Sequence, residues 1–176
     1  MALPDSFKVS QGTAIIWGQS GATGVTNTLS LNNLADGTAR QGASVDLGSD
    51  WDRDYAVYLI IETGTAPTAG NTVDLYLIGS RDGSEWPAKV TGSDAAYTLG
   101  TSDANLRQAG PAVASLVATA DANTVLRQAP VIWRPISRYV APIVDINLGQ
   151  ATRNETTATD NASRVILIPL VDKVVE

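Results

Sequence analysis

The sequence predicts an all-β protein, an antiparallel β-sandwich of jelly-roll-like form with about eight to ten strands. Three observations carry this. Strong helix formers are scarce, with Lys only at 8, 89 and 173 and Glu only at 62, 85, 155 and 176, while Thr, Val, Gly, Asn and Asp are plentiful. The apolar runs have strand length. Clusters of Gly, Ser, Asn and Asp recur between them at the spacing of an all-β domain. The 176 residues suit one domain. At this length folding buries about 70% of the chain's surface, so the core needs no disulfide or metal.

Residues 1–12, with Pro4 and few apolar side chains, read as an N-terminal arm that orders on docking, or as a frayed terminus. Residues 13–176 form the single sandwich domain. Ala14-Ile15-Ile16-Trp17 is the first strand, stopped by Gly18-Gln19-Ser20-Gly21. Residues 26–34 follow, with Leu29 and Leu31 on one face. In 43–47, Ala43, Val45 and Leu47 share a face opposite Ser44 and Asp46. Residues 55–62 form the strongest strand. Tyr55, Val57, Leu59 and Ile61 alternate with Ala56, Tyr58, Ile60 and Glu62, so both faces are mostly apolar. Such a strand is central, or covered on its second face.

Residues 72–80 read as its hairpin partner, joined through 64–70. Arg81-Asp82-Gly83-Ser84 is a turn, and Trp86-Pro87 leads away. Loops are expected at 91–94 and 100–103, with a short strand at 96–99. The period of 113–119 fits a strand or one helical turn. Residues 124–128 form a strand that 131–133 continues past Pro130, and 138–148 form a long one. Pro130 and Pro142 each mark an edge or a bulge. A polar Thr/Asn loop at 150–162 precedes the last apolar strand, 164–171. Leu-Arg-Gln-Ala occurs at 106–109 and 126–129, each time after Asp-Ala-Asn. The two offsets differ, which excludes a solenoid period.

Composition excludes several chemistries. The chain has no Cys and no His. It therefore has no thiolate nucleophile, no Cys-type zinc site and no Ser-His-Asp triad. Twelve Lys+Arg against eighteen Asp+Glu give a net charge of −6. The basic residues are scattered singly, which argues against a nucleic-acid partner. No apolar run approaches a membrane span, and 1–10 lacks a signal pattern, so a soluble protein made in the cytoplasm is expected. Asn154-Glu155-Thr156 and Asn161-Ala162-Ser163 match the glycosylation sequon but read as loop polarity without a secretion signal.

Each candidate site has a plain counterpart. Asp50, Asp52 and Asp54 alternate like calcium ligands, yet Tyr55 and Ile61 occupy the Gly and Glu positions of the EF-hand loop, so they read as an acidic strand entrance with Arg53 softening the repulsion. Gly18-Gln19-Ser20-Gly21 lacks the last Gly of a nucleophile elbow and has no base. Gly18 to Gly24 lacks the Lys of a phosphate loop. Among the four tryptophans, Trp17 and Trp133 lie in apolar runs and read as core. Trp51 and Trp86, with Asp82 beside the second, are the candidate surface or glycan contacts. Glu85 is the one carboxylate placed for glycosidase work, and nothing sets a second acid at the required distance. No cofactor and no catalytic residue is expected.

Two segments carry a resemblance. The first is Val73-Asp74-Leu75-Tyr76-Leu77-Ile78-Gly79-Ser80-Arg81-Asp82-Gly83 with Trp86-Pro87. The second is Pro135-Ile136-Ser137-Arg138-Tyr139-Val140-Ala141-Pro142-Ile143-Val144 with Val165-Ile166-Leu167-Ile168-Pro169-Leu170. Together they resemble small β-sandwich or jelly-roll structural proteins of tailed bacteriophages. The resemblance implies a virion component made in the host cytoplasm: a capsid decoration (cement) protein, or a subunit of a head fibre or tail. Its implied partners are the major capsid protein or other virion proteins and further copies of itself, a trimer by analogy with local threefold sites of icosahedral lattices. A carbohydrate-binding module that reads a receptor is the competing class. A carboxylate-based glycan hydrolase is the third.

Overall fold

A computed structural model describes residues 6–98, 106, 110–119, 125–154 and 162–175. It contains thirteen strands: β1 (Ser6–Gln11), β2 (Ile15–Gly18), β3 (Asn27–Thr28), β4 (Thr38–Gln41), β5 (Val45–Asp46), β6 (Asp54–Glu62), β7 (Thr72–Ser80), β8 (Ala95–Tyr97), β9 (Ala114–Val117), β10 (Val125–Arg127), β11 (Val131–Trp133), β12 (Tyr139–Asn147) and β13 (Arg164–Val175). A short 3-10 turn, Pro87–Lys89, is the one named helical element among the described residues.

The strands make two sheets that pack face to face. The first runs β10-β6-β13-β2-β3, with β11 also on β6 and β1 also on β13. The second runs β8-β4-β12-β7-β9, with β5 also on β12. Pairing is antiparallel apart from β2 with β3. The pairs β1 and β2, β4 and β5, and β10 and β11 each lie end to end on one neighbour. Counted as three interrupted strands, they bring the total to ten.

Alternation fills the interior. Tyr55, Val57, Leu59 and Ile61 of β6 meet Val73, Leu75 and Leu77 of β7, Val140, Val144 and Ile146 of β12, and Val165 and Leu167 of β13. Trp17, Leu29 and Leu31 complete this core with no exposure. Leu29 and Leu31 do so from irregular backbone, since β3 is only two residues long.

One expectation is corrected. β6 and β7 are not a hairpin: β6 pairs with β13, β10 and β11, and β7 pairs with β12 and β9. The connection at 63–71 crosses from one sheet to the other. Each strand finds its main partner in the last third of the chain, which local spacing cannot encode. β6 is central, as its two apolar faces require. Pro130 interrupts an edge, between β10 and β11. Pro142, by contrast, lies in a central strand, and the interruption falls in its neighbour.

Two further strands, β1 and β4, lie where no strand was expected: β1 alternates only over Phe7 and Val9, and β4 is four residues long with Ala39 its one apolar side chain. β1 lies inside the stretch expected as an arm. It is paired along its whole length with 170–175 of β13. The strand 113–119, ambiguous by period, is β9. The expected loop at 100–103 and part of that at 150–162 lie outside the described residues.

Candidate functional site

Asp82 organises its own turn. Its carboxylate accepts the backbone N–H of Ser84 and of Glu85, both at 2.9 Å. Those two N–H groups, with a lesser contribution from Ser80, hold its pKa at about 2. Ser80 Oγ donates to the Glu85 carbonyl at 2.5 Å and accepts from Gly83 N–H at 3.0 Å. Trp86 Nε1 donates to the Gly83 carbonyl at 3.0 Å, closing the same turn. The Trp86 ring packs against a second apolar cluster and touches Gly92 so closely that a Cβ there would lie 3.1 Å from Nε1. Asp82 and Trp86 are thus brought together, but as parts of a folded turn, with the indole only half exposed.

Trp51 sits apart from them, half-buried in the loop that enters β6. Of the neighbouring carboxylates, Asp54 accepts from Arg134 at 2.9 Å and lies 3.8 Å from Arg53. Among the described residues no three acidic side chains gather as a cation site. Glu85 is exposed. Trp17 is core, and its Nε1 donates to the Ala43 carbonyl at 2.7 Å. Trp133 is half-buried and tilted against Tyr55, ring centres 6.1 Å apart. Gly18-Gln19-Ser20-Gly21 ends β2 and turns the chain, with Ala22 N–H bonded to the Gln19 carbonyl.

The two sheets differ on their outer sides. The second sheet is covered. Ala39, Ile78, Ala141 and Ile143 on its outer face are at most 2% exposed, buried beneath Val90, Tyr97, Leu106 and the Trp86 ring. Asp94 pins this covering segment. It takes a two-pronged bond from Arg40 at 2.8 and 2.9 Å, together with Ser30 N–H at 3.0 Å and Ser30 Oγ at 2.5 Å. Burial pushes the Asp94 carboxyl up, but the bonds from Arg40 and Ser30 outweigh it and leave the pKa lowered.

The first sheet has no such cover among the described residues. Cross-strand register places Ile132, Ala56 and Ile168 in one outward row, and Tyr58, Ile166 and Ile16 in the next. Ile60 follows between Arg127 and Arg164. Tyr58, Ile60, Ile166, Ile168 and Ile16 are half-buried, and Ile132 is 64% exposed. The inward residues of β6 and β13, from Tyr55 to Ile61 and at Val165 and Leu167, are at most 2% exposed. The result is an apolar belt two rows deep. The Arg134–Asp54 ion pair borders it at one end and the Arg127 and Arg164 row at the other. The sequence pointed to this face through the double alternation of 55–62. It did not reveal that β13, β2 and β11 extend it.

What the surface offers is area: apolar, ridged by β-branched side chains and edged with charge. Comparison with family models, with curated proteins and with solved structures finds no match to this chain.

Proposed function

We propose that this chain is a non-enzymatic structural protein of a virion, a capsid decoration protein that lies across seams between shell subunits and holds them together. The observation that carries the assembly reading is the apolar belt on the outer face of the first sheet, which no described segment covers. Contiguous exposed apolar surface with a polar rim favours contact with another protein. The virion setting rests on the resemblance of residues 73–87 and 135–170 to phage structural proteins.

The physics of such a role is simple. Each copy removes apolar area from water at about 25 cal/mol per Å² before association costs are subtracted. Many modest contacts repeated over a closed shell then act together. Pressure from packed DNA opens the seams, and a bridging subunit opposes the opening.

The test is co-sedimentation with shells of the encoding phage, stripped of their own copy of the protein. The parent protein pellets with the shells, while Ile166→Asp, which places a charge in the belt, stays in the supernatant with its thermal unfolding little changed. Parent protein left wholly in the supernatant would overturn the reading.

Glycan recognition is the second reading, and half-exposed Trp51 is what favours it, since Trp86 is committed to its turn. Retention on a glycan array that disappears in Trp51→Ala would replace the assembly role with a receptor-reading one.

A further inference from the structure

β13 outruns its neighbour β6. From Arg164 to Leu170 it pairs with β6, while from Val171 to Val175 its one partner among the described residues is β1, on the opposite side. The chain bends at Arg53, so β6 ends opposite Leu170. Residues 171–175 and β1 thus form a two-stranded ribbon, which is marginally stable in water until a third strand joins it. Gly12 N–H bonds the Pro169 carbonyl on the β1 side. Backbone groups point to alternate sides along a strand. Val171, Lys173 and Val175 therefore face β1, and Asp172 and Val174 face the open edge. That edge presents N–H and C=O groups in turn, the pattern another strand complements.

The charges on this ribbon are unusual. The chain has a net charge of −6 and only three lysines. Two of them, Lys8 and Lys173, stand directly opposite each other, an arrangement that destabilises a sheet. The remaining charged residue of these segments, Asp172, is opposite Val9 and falls on the other face. Asp54, opposite Leu170, falls on that other face too and accepts from Arg134. Asp50, Asp52 and Arg53, in the loop before β6, hold no register position opposite 171–175.

We infer that the open edge of β13 accepts an extended segment of a different protein, with an acidic residue directly opposite Lys173. Added strands of this kind bind through main-chain bonds and select through the residues set opposite. Position 173 points its backbone away from the edge, so the residue facing it across the new contact belongs to a narrow pair, where side chains come closest. A second copy of this chain does not fit. The two-fold register that overlaps the whole edge sets Lys173 against Lys173, with four lysines in one row. A shift of two residues either way leaves three residues paired, and in one of these registers Asp172 meets Asp172. Other strands of a second copy fit no better. The edge strands β1, β3, β8, β9, β10 and β11 carry no acid, and the acid of β5, Asp46, is bonded to Arg138. This contact goes beyond the decoration role: it uses a backbone edge past the end of the belt, and it forms whether or not a shell protein takes the belt.

Amide hydrogen exchange of the full chain, read residue by residue by NMR, tests it. The probe is the peptide acetyl-Val-Thr-Glu-Thr-Val-amide in excess, which reads the same in both directions. It slows exchange at Asp172 and Val174 ~tenfold or more, and its counterpart with Lys in place of Glu does not. Lys173→Glu reverses that preference, with circular dichroism confirming its fold. The two peptides on the parent protein decide the matter even if the variant misfolds. No protection by either peptide, equal protection by both, or protection confined to another edge would overturn the inference. So would Asp172 and Val174 amides protected without peptide at high protein concentration and released on dilution, since a second copy would then fill the edge.

Discussion

Gly42 and Gly12 each face a proline across a sheet, and the pairing explains how two central strands tolerate one. A narrow antiparallel pair normally exchanges two backbone bonds. Opposite Pro142 and Pro169 only one is made: Gly42 and Gly12 donate to the proline carbonyls, both at 2.9 Å. The neighbouring strand breaks there, between β4 and β5 and between β1 and β2. The missing donor thus falls where pairing ends. A Cβ at 42 would lie 2.8 Å from Pro142 Cγ and 3.2 Å from Leu29 Cβ. Gly42→Ala is therefore expected to cost ~1–3 kcal/mol in urea unfolding, the usual penalty for overpacking. Gly12→Ala, where the nearest approach is 3.2 Å, costs less. Asp94 is the other residue on which much depends. Asp94→Asn removes the anion from the Arg40 and Ser30 bonds and is expected to cost ~2 kcal/mol, in the range of hydrogen bonds to charged groups. A loss indistinguishable from zero would mean that the covering segment is held by packing alone.

At the scale of elements, the covering segment Trp86 to Tyr97 closes the outer face of the second sheet. It begins with Ala88 and Lys89 in the left-handed region, at φ 55° and 58°. Tyr97 Oη bonds the Ala88 carbonyl and fixes the bend from the far end. Left-handed backbone costs a side chain ~1–2 kcal/mol, and Gly returns part of that as lost entropy. Exposed Lys89→Gly should raise stability by ~0.5 kcal/mol; a fall would show that the lysine stem packs usefully. Trp86→Ala should cost ~2 kcal/mol or more, through lost packing on the second cluster. Its readout is near-ultraviolet circular dichroism alongside the melt. If the glycan reading were correct for this residue, the melt would hold and only binding would change. β1 contributes at the same scale. Removing residues 2–10 strips the partner from β13 beyond Leu170, where β6 no longer pairs.

For the whole molecule, charge and pH follow from the carboxylates. Hydrogen bonds from Arg138, then Gly48, hold Asp46 at about 2, and Asp82 sits at about 2 through its turn. Asp94 is lowered as well. The ordinary value for each is 3.8. A depressed folded pKa gives stability that is present above the ordinary value and lost as pH falls through the folded one. With no His to titrate near neutrality, the melting temperature is expected to stay flat from about pH 5 to 8 and to drop between about pH 4 and 2. Asp46→Asn and Asp82→Asn should each flatten the drop. An unchanged profile would show that the same contacts persist in the unfolded chain.

Residue type and period alone determined the all-β class, the strong strands at 55–62, 72–80 and 138–148, the absence of Cys and His chemistry, and a central strand apolar on both sides. These are local properties, written in side chains two positions apart. Pairing is not local. β6 and β7 adjoin in sequence yet belong to different sheets, because their partners β13 and β12 lie near the C-terminus. β1 alternates only over Phe7 and Val9 and β4 not at all, and each forms by pairing along β13 or β12. Trp86 and Asp82 share one folded turn, a joint use that their places in the sequence do not disclose. Only the tertiary structure decided which of two apolar outer faces keeps a cover. The segment pinned by Asp94 covers the second sheet, and among the described residues no segment does the same for the first.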